Sequence, residues 1–144
     1  MYKRIMLTLD RSGLAEQALP HAVAMAKAFK AELALVTVVP VATPDTALEF
    51  GAHVNWDEEV REDQEYLRGI IARVQEEGLR VASDLLRGDI AEEILRYAQD
   101  EDVDLIIMST HGRSGMGRWV YGSIADRVLR HATLPVLLVR STEA

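Results

Sequence analysis

The chain alternates between two kinds of apolar pattern, and this alternation constrains its fold more than any other feature. Short continuous apolar runs predict buried strands, and segments with apolar residues every three or four positions predict helices. The predicted strands are Arg4–Leu9, Leu33–Val39, Leu79–Leu86, Val103–Met108 and Pro135–Val139. The predicted helices are Ala15–Phe29, Asn55–Glu77, Asp89–Gln99 and Ser123–His131. Strands that alternate with helices predict an α/β fold, in which helices cover both faces of a parallel sheet.

Three segments depart from this simple alternation. Pro20 lies inside the first predicted helix, where a proline interrupts helical hydrogen bonding. The segment Pro40–Val54 has two prolines, a glycine and no clear period, so we interpret it as a loop. Between Asp57 and Glu77 there are eight acidic residues and three arginines, which is typical of a solvated helix face.

Composition excludes several classes of protein. The chain has 144 residues, with 16 Lys and Arg against 23 Asp and Glu, and a net charge of −7. This acidic balance argues against a duplex-DNA surface, and no apolar run approaches the roughly 18 residues of a membrane span. The absence of cysteine removes disulfides, thiol catalysis and Cys-ligated metals. The first residues lack the apolar core of a signal peptide. We therefore expect a single cytoplasmic domain over residues 1–144, with no nucleic-acid or membrane partner.

Two segments that follow predicted strands carry the polar groups best suited to bind a ligand. One is Thr8-Leu9-Asp10, after the first strand, and the other runs from Ser109 to Gly117, after the fourth. In open parallel sheets, ligands bind beyond the carboxyl ends of the strands, where the strand order reverses. If the first and fourth strands are neighbours, both segments face the same crevice.

The segment after the fourth strand has the features of a phosphate-binding loop. Three glycines between Gly112 and Gly117 let the backbone approach a ligand closely. Gly122-Ser123 then opens a helix, whose free N–H groups and dipole favour an anion. Residues 109–131 include four arginines and one acid, against the acidic balance of the whole chain. The alternative interpretation is a flexible connector with solvated arginines.

Other nucleotide- and phosphate-related patterns do not fit. A P-loop requires G-x-x-x-x-G-K-[ST], but the lysines are Lys3, Lys27 and Lys30, all far from this loop. The sequence TLDRSG after the first strand does not match the dinucleotide-binding fingerprint. A response-regulator receiver is disfavoured, because the chain has no acidic pair after its first strand and no lysine after its fifth.

The stretch MSTHGRSGMGRWVYGSIADRVLRHATLPVLLV closely resembles the carboxyl-terminal signature of the universal stress protein family. The ATP-binding branch of that family has the pattern Gly-x2-Gly-x9-Gly-Ser/Thr. Gly112, the nine residues after it and Gly122-Ser123 match the second half, and Ser109 stands at the position of the first glycine. The opening strand with Asp10 and the closing LPVLLV are also similar to the family, so the resemblance covers essentially the whole chain.

This resemblance implies a Rossmann-like fold with five parallel strands in the order 3-2-1-4-5 and an ATP site at the crevice. It implies that Asp10, with Thr8 and Leu9, lines the nucleoside side and meets Mg²⁺ bound through the nucleotide. Val38 and Met108 would contact the adenine. The residues implied to border the ribose and phosphates are Ser109, His111, Gly112, Arg113, Gly122, Ser123, Ile124 and Ala125.

Several of these residues have alternative roles. Asp10 could hold a magnesium ion or a ribose hydroxyl, or it could cap a helix. Ser123 could contact phosphate or be a plain cap. His111 could act as a base, although a role in fixing the loop geometry is favoured. Trp119 and Tyr121 could stack on a ligand, but packing is favoured because aromatic side chains mostly contribute buried area.

Three functions remain open from the sequence. The first is an ATP-binding regulatory module of the stress response, dimeric through the edge strand Pro135–Val139, as is common in the family. The second is a weak ATPase or a self-phosphorylating protein, with Ser114 or Ser123 as acceptor; the lack of a nearby lysine speaks against efficient phosphoryl transfer. The third is a nucleotide-free structural dimer, as in the family's other branch, which lacks the glycine motif found here at Gly112 and Gly122.

Overall fold

The centre of the sheet is its first strand. The computed structural model describes residues 1–41, 43–111 and 122–142, apart from the side chains of Asp45 and Glu49. The strands are β1 (Arg4–Thr8), β2 (Glu32–Val39), β3 (Val81–Arg87), β4 (Leu105–Ser109) and β5 (Val136–Val139). They pair in parallel in the order β3-β2-β1-β4-β5. The predicted α/β fold, the strand order and the pairing of β1 with β4 are therefore confirmed.

Helices cover both faces of this sheet. They are α1 (Gly13–Glu16), α2 (Leu19–Phe29), α3 (Pro44–Phe50), α4 (Trp56–Glu76), α5 (Ile90–Asp100) and α6 (Ser123–His131). Leu33 and Leu35 of β2 pack in the core beneath α2 and α4, whereas Ala34 and Val36 pack in the core beneath α5 and α6. Burial on both faces explains why the strands are continuously apolar. In the described part of the chain, no helix combines the length and apolar character needed to cross a membrane.

The single helix predicted over Ala15–Phe29 is wrong, because two helices occupy this segment. α1 ends at Glu16 and α2 begins at Leu19, so Pro20 lies in the first turn of α2. A proline has no N–H to donate, but the first N–H groups of a helix have no partner within the helix in any case. Pro20 therefore fits a helix start and would not have fitted the helix interior.

The loop predicted over Pro40–Val54 is also wrong in part, because α3 lies within it. Thr43 caps this helix, and its hydroxyl accepts a hydrogen bond from the Thr46 N–H at 3.2 Å. The Thr46 hydroxyl in turn accepts from the Thr43 N–H at 2.8 Å, and Pro44 occupies the first turn. A cap followed by proline is a helix-start signal that outweighs the missing apolar period.

Candidate functional site

A pocket lies at the C-terminal ends of the central strands. Its volume is about 840 Å³, including the space at its opening to solvent. β1 ends at Thr8, which pairs with Val36. β2 continues to Val39 and β4 to Ser109, so the shorter central strand leaves a recess between its two neighbours. The strand order reverses at β1 and β4, which is where open parallel sheets bind ligands.

The described residues predicted to bind a nucleotide all line this pocket. These eleven are Thr8, Leu9, Asp10, Val38, Met108, Ser109, His111, Gly122, Ser123, Ile124 and Ala125. Gly112 and Arg113 lie outside the described residues, as do Ser114, Trp119 and Tyr121. The structure thus brings together two segments that are about 100 residues apart in sequence, as expected for neighbouring parallel strands. Their contacts with a ligand stay a prediction.

The backbone of Val38 faces the recess. The Leu9 N–H donates to the Val36 C=O at 2.9 Å, and the Gly88 N–H donates to the Val39 C=O at 3.1 Å. Backbone groups point to alternate sides along a strand, so those of Val36 and Val38 point towards β1 and those of Val39 towards β3. Because Val38 lies beyond the last residue of β1, its N–H and C=O present an adjacent donor and acceptor to the pocket.

An apolar slot lies beside this donor and acceptor, on the face of the sheet covered by α5 and α6. Its walls are Val36 and Val38 of β2, Ile90 and Ile94 of α5, and Met108 of β4. Aliphatic and thioether side chains around a few oriented polar groups are typical of small-molecule sites. The slot is therefore suited to a flat, largely apolar ring with polar atoms on one edge.

Asp10 lies at the pocket wall, where its carboxylate organises the turn into α1. Its Oδ1 accepts hydrogen bonds from the Ser12 N–H at 3.0 Å and the Ser12 hydroxyl at 2.5 Å. Ser12 in turn caps α1 by accepting from the Ala15 N–H at 3.0 Å. The alternative role of Asp10 as the helix cap is therefore wrong. Within the described ranges, no group of three His, Asp or Glu side chains is placed to hold a metal ion, so a cation at Asp10 would need further ligands from the bound molecule.

The N-terminus of α6 forms the opposite wall of the pocket. Gly122 is its N-cap and has no capping side chain, so the alternative of Ser123 as the cap is wrong. The first hydrogen bond within the helix runs from the Asp126 N–H to the Gly122 C=O at 3.0 Å. The N–H groups of Ser123, Ile124 and Ala125 precede that bond, and all three residues line the pocket. Such a helix start favours an anion.

A buried hydrogen-bond network holds the backbone of the β4 loop. The Ser141 hydroxyl accepts from the His111 N–H at 3.1 Å, and the Ser141 N–H donates to the Thr110 hydroxyl oxygen at 3.1 Å. The Thr110 N–H donates to the Val139 C=O at 2.9 Å, and the Gly122 N–H donates to the Thr110 C=O at 2.7 Å. The network supports the favoured role of His111 in loop geometry. Sequence analysis missed Thr110 and Ser141, because no local pattern marks a contact across 31 residues.

Two of the four arginines predicted to make this region positive form ion pairs with the protein itself. Arg127 holds both carboxylate oxygens of Asp89, the N-cap of α5, at 3.1 Å. Burial raises the pKa of Asp89, but hydrogen bonds from Arg127 and from the Glu92 N–H outweigh it, so the pKa lies below its ordinary value. Arg130 pairs with Asp126 at 3.0 Å. The Arg127 pair ties α6 to α5, and the Arg130 pair lies within α6. Both pairs neutralise positive charge that the sequence analysis had assigned to a ligand.

The acidic stretch of α4 is only in part a solvated face, contrary to the prediction. Asp63 is 5% exposed, and its Oδ1 accepts from Arg11 Nε at 2.7 Å. Arg11 also pairs with Glu62 at 2.8 Å and with Glu59. Trp56, Glu59 and Asp63 line the pocket from successive turns of α4. Glu59 and Asp63 were missed because charged residues in a helix are usually exposed, and no local pattern marks Trp56 as a pocket residue.

Comparison with known proteins agrees with this architecture. The sequence model of the universal stress protein family matches residues 1–140. Universal stress protein MJ0531 of Methanocaldococcus jannaschii is 35% identical over 144 residues, which cover 97% of this chain and 83% of that protein. The structure of universal stress protein UspA from Lactobacillus plantarum superposes with a TM-score of 0.81 at 25% identity, covering 96% of this chain and 98% of that one.

Two further solved universal stress proteins share the fold at lower identity. One, from Archaeoglobus fulgidus in complex with dAMP, has a TM-score of 0.72 at 22% identity and covers 95% of this chain and 97% of its own. The other, in complex with cAMP, has a TM-score of 0.65 at 20% identity and covers 98% of this chain and 98% of its own. At these identities the likeness establishes the shared fold.

Proposed function

The chain belongs to the universal stress protein family, and we propose that it is a cytoplasmic, ATP-binding regulatory module of the stress response. The observation that carries this proposal is the arrangement of two complementary ends in one pocket. The exposed backbone edge of Val38 lies at one end, and the N-terminus of α6 lies at the other. A nucleotide has a polar-edged ring at one end and an anion at the other.

The exposed backbone N–H and C=O of Val38 support adenine as the base. On its pairing edge, adenine places a hydrogen-bond acceptor, N1, beside the donor amino group on C6. The Val38 N–H and C=O are complementary to this pair, whereas guanine reverses donor and acceptor. The apolar slot formed by Ile94, Met108 and their neighbours would cover the faces of the ring. The dAMP and cAMP bound to two solved members of the family support an adenine nucleotide in general. The choice of ATP rests on the Gly112 and Gly122-Ser123 motif.

The remaining groups suit the ribose and phosphates. The N–H groups of Ser123, Ile124 and Ala125 would bind phosphate oxygens. Asp10 would accept a hydrogen bond from a ribose hydroxyl or bind Mg²⁺ carried by the phosphates. Gly112 and Arg113 would complete the phosphate side, as the motif implies.

Binding without turnover is favoured over phosphoryl transfer. Among the described residues that line the pocket there is no lysine or arginine to stabilise a transferring phosphoryl group. The backbone of His111 is held by Ser141, as expected for a structural residue rather than a general base. ATP hydrolysis is therefore expected to be slow or absent.

The first test is the nucleotide content of the purified protein. Protein purified without added ligand is denatured, and the released nucleotides are identified by chromatography. ATP is then titrated with and without Mg²⁺ while ADP is followed. We expect adenine nucleotide bound at about one per chain, tighter binding with Mg²⁺, and no steady ADP release. Steady ADP release that disappears when Gly122 is replaced would favour the alternative that the protein is a weak ATPase. Absence of both bound nucleotide and a titration signal would favour the nucleotide-free structural dimer.

The proposal includes a homodimer formed through β5. β5 is an edge strand of the sheet. The C=O groups of Pro135 and Val139 accept hydrogen bonds from the N–H groups of Ile106 in β4 and of Thr110 just after it. Because backbone groups alternate in direction, the N–H and C=O groups of Val136 and Leu138 point away from β4 and towards the open edge. A second copy pairing there would remove the exposed edge.

Replacing Leu138 by proline is expected to convert the dimer to a monomer. Proline removes the outward N–H of Leu138 without removing a β4–β5 hydrogen bond. Leu138→Ala is the matched control, since it loses the same packing but keeps the N–H. Sedimentation at micromolar concentration should show a monomer for Leu138→Pro and a dimer for Leu138→Ala. An unchanged dimer in the proline variant would place the interface elsewhere.

A further inference from the structure

Ser141 lies just after β5 and is anchored on both sides. β5 ends at Val139, whose C=O accepts from the Thr110 N–H at 2.9 Å. The backbone of Thr142 is held by the side chain of Gln17, at the C-cap of α1. Gln17 Nε2 donates to the Thr142 C=O at 2.7 Å, and the Thr142 N–H donates to Gln17 Oε1 at 3.0 Å. The Ser141 side chain is therefore held in a fixed place beside the pocket.

The hydroxyls of Ser141 and Thr110 form one hydrogen-bond network with His111. Ser141 Oγ accepts from the His111 N–H at 3.1 Å and lies 3.3 Å from Thr110 Oγ1. Thr110 Oγ1 accepts from the Ser141 N–H at 3.1 Å and lies 3.2 Å from His111 Nδ1. Ser141 is 8% exposed, and Thr110 is buried as well. Water therefore cannot readily replace a hydroxyl that is removed from this network.

The network also reaches the N-terminus of α6. The Thr110 C=O accepts from the N–H of Gly122, the N-cap of α6, at 2.7 Å. This helix start supplies the N–H groups of Ser123, Ile124 and Ala125, which are assigned above to phosphate. The slot assigned to the base is formed mainly by β2 and α5. A shift of Thr110 would therefore move the phosphate end of the pocket relative to its base end.

We propose that Ser141 and Thr110 are positioning residues for the phosphate groups of the nucleotide, a role that rests on the nucleotide binding proposed above. They act through the hydrogen bonds that hold His111 and Gly122 in place. When the arrangement that binds a ligand is only partly populated, the apparent affinity falls by that fraction. Loss of either hydroxyl therefore weakens the binding of ATP more than that of adenosine, which has the same base and ribose but no phosphate.

The affinities of single variants for ATP and adenosine test this role. ATP is titrated by calorimetry at a fixed Mg²⁺ concentration, and adenosine is measured by its competition with ATP. Ser141→Ala and Thr110→Val each remove one hydroxyl. Each should weaken ATP binding about tenfold or more and change adenosine binding less than about threefold. Thr110→Ser keeps the hydroxyl and should bind both ligands as the unmodified protein does.

Ser83→Ala is the matched control for Ser141→Ala. Ser83 is exposed on β3 and does not line the pocket, so this variant should keep both affinities. The double variant Thr110→Val/Ser141→Ala tests whether the two hydroxyls act as one network. Because they share partners, its loss of ATP affinity should be close to that of one single variant. A loss equal to the product of the two single losses would contradict a shared network.

Two further results would overturn the positioning role. One is an ATP affinity of Ser141→Ala and Thr110→Val equal to that of Ser83→Ala. The other is an equal loss of ATP and adenosine binding, which would indicate a general effect on the pocket. The two single variants remove different atoms, so one decides the matter if the other does not fold. Failure of the unmodified protein to bind ATP would instead contradict the nucleotide proposal itself.

Discussion

Replacing Gly122 by valine is expected to weaken ATP binding at least about 100-fold while the protein stays folded. Gly122 lines the pocket at the N-cap of α6. We expect a valine side chain at this N-cap to crowd the adjacent helix N–H groups that would hold phosphate. The backbone angles of Gly122, φ −71° and ψ 169°, lie in the extended region that valine readily adopts. The change should therefore block the ligand without straining the backbone, as calorimetric titration with ATP and thermal melting would show.

Gly69→Val is the matched control for this variant. Gly69 lies in α4, and a side chain built there meets no heavy atom within 4 Å. The control introduces the same side chain away from the pocket, with a small cost in helix propensity. It should bind ATP as the unmodified protein does. If Gly122→Val binds ATP with undiminished affinity, the assignment of the α6 N-terminus to phosphate is wrong. If both variants lose binding and melt early, the loss reflects stability rather than the site.

The fold was predictable because its signals are local and repeated. Buried strands such as β2 are continuous apolar runs, and the long helix α4 has an apolar stripe that includes Leu67 and Val74. The alternation of the two patterns determines a parallel sheet. The positions where helices begin were harder to predict, as Pro20 and Thr43-Pro44 show. Both prolines belong to helix starts, but a proline also fits a loop, and only the surrounding packing decides between them.

The candidate site was predictable where a residue follows a strand or carries a motif. Asp10 and Gly122 are of this kind, and the structure brings both to one pocket. Residues that reach the pocket only through tertiary contacts could not be predicted from the sequence. Asp63 belongs to an acidic run that by pattern is solvent-exposed, but it is buried, and Arg11 of the β1–α1 turn pairs with it. The hydroxyl of Thr37 lies within an apolar strand, where the sequence gives no indication that it lacks a hydrogen-bond partner among the residues that the structure describes.

The ion pair between Arg11 and Asp63 is expected to stabilise the protein, and Arg11→Met should lower the melting temperature by about 5–10 °C. Methionine keeps an unbranched apolar side chain but removes the Arg11 guanidinium from the buried Asp63. Removing a charged partner from a buried carboxylate costs more than losing an exposed ion pair. We expect a loss of about 2 kcal/mol in the free energy of unfolding, below the cost for a fully buried pair because the Arg11 side chain is 24% exposed. Thermal and urea melts of the ligand-free protein measure this effect.

Arg73→Met is the matched control for the Arg11 variant. Arg73 pairs with Glu16 at 3.0 Å, but its side chain is 61% exposed. An exposed pair contributes at most about 1 kcal/mol, so this variant should melt within about 3 °C of the unmodified protein. Asp63→Asn should fall between the two, because Arg11 keeps Glu59 and Glu62 as partners. Equal destabilisation by Arg11→Met and Arg73→Met would mean that burial of Asp63 does not set the cost. The β1–α1 turn would then be held to α4 by packing rather than by charge.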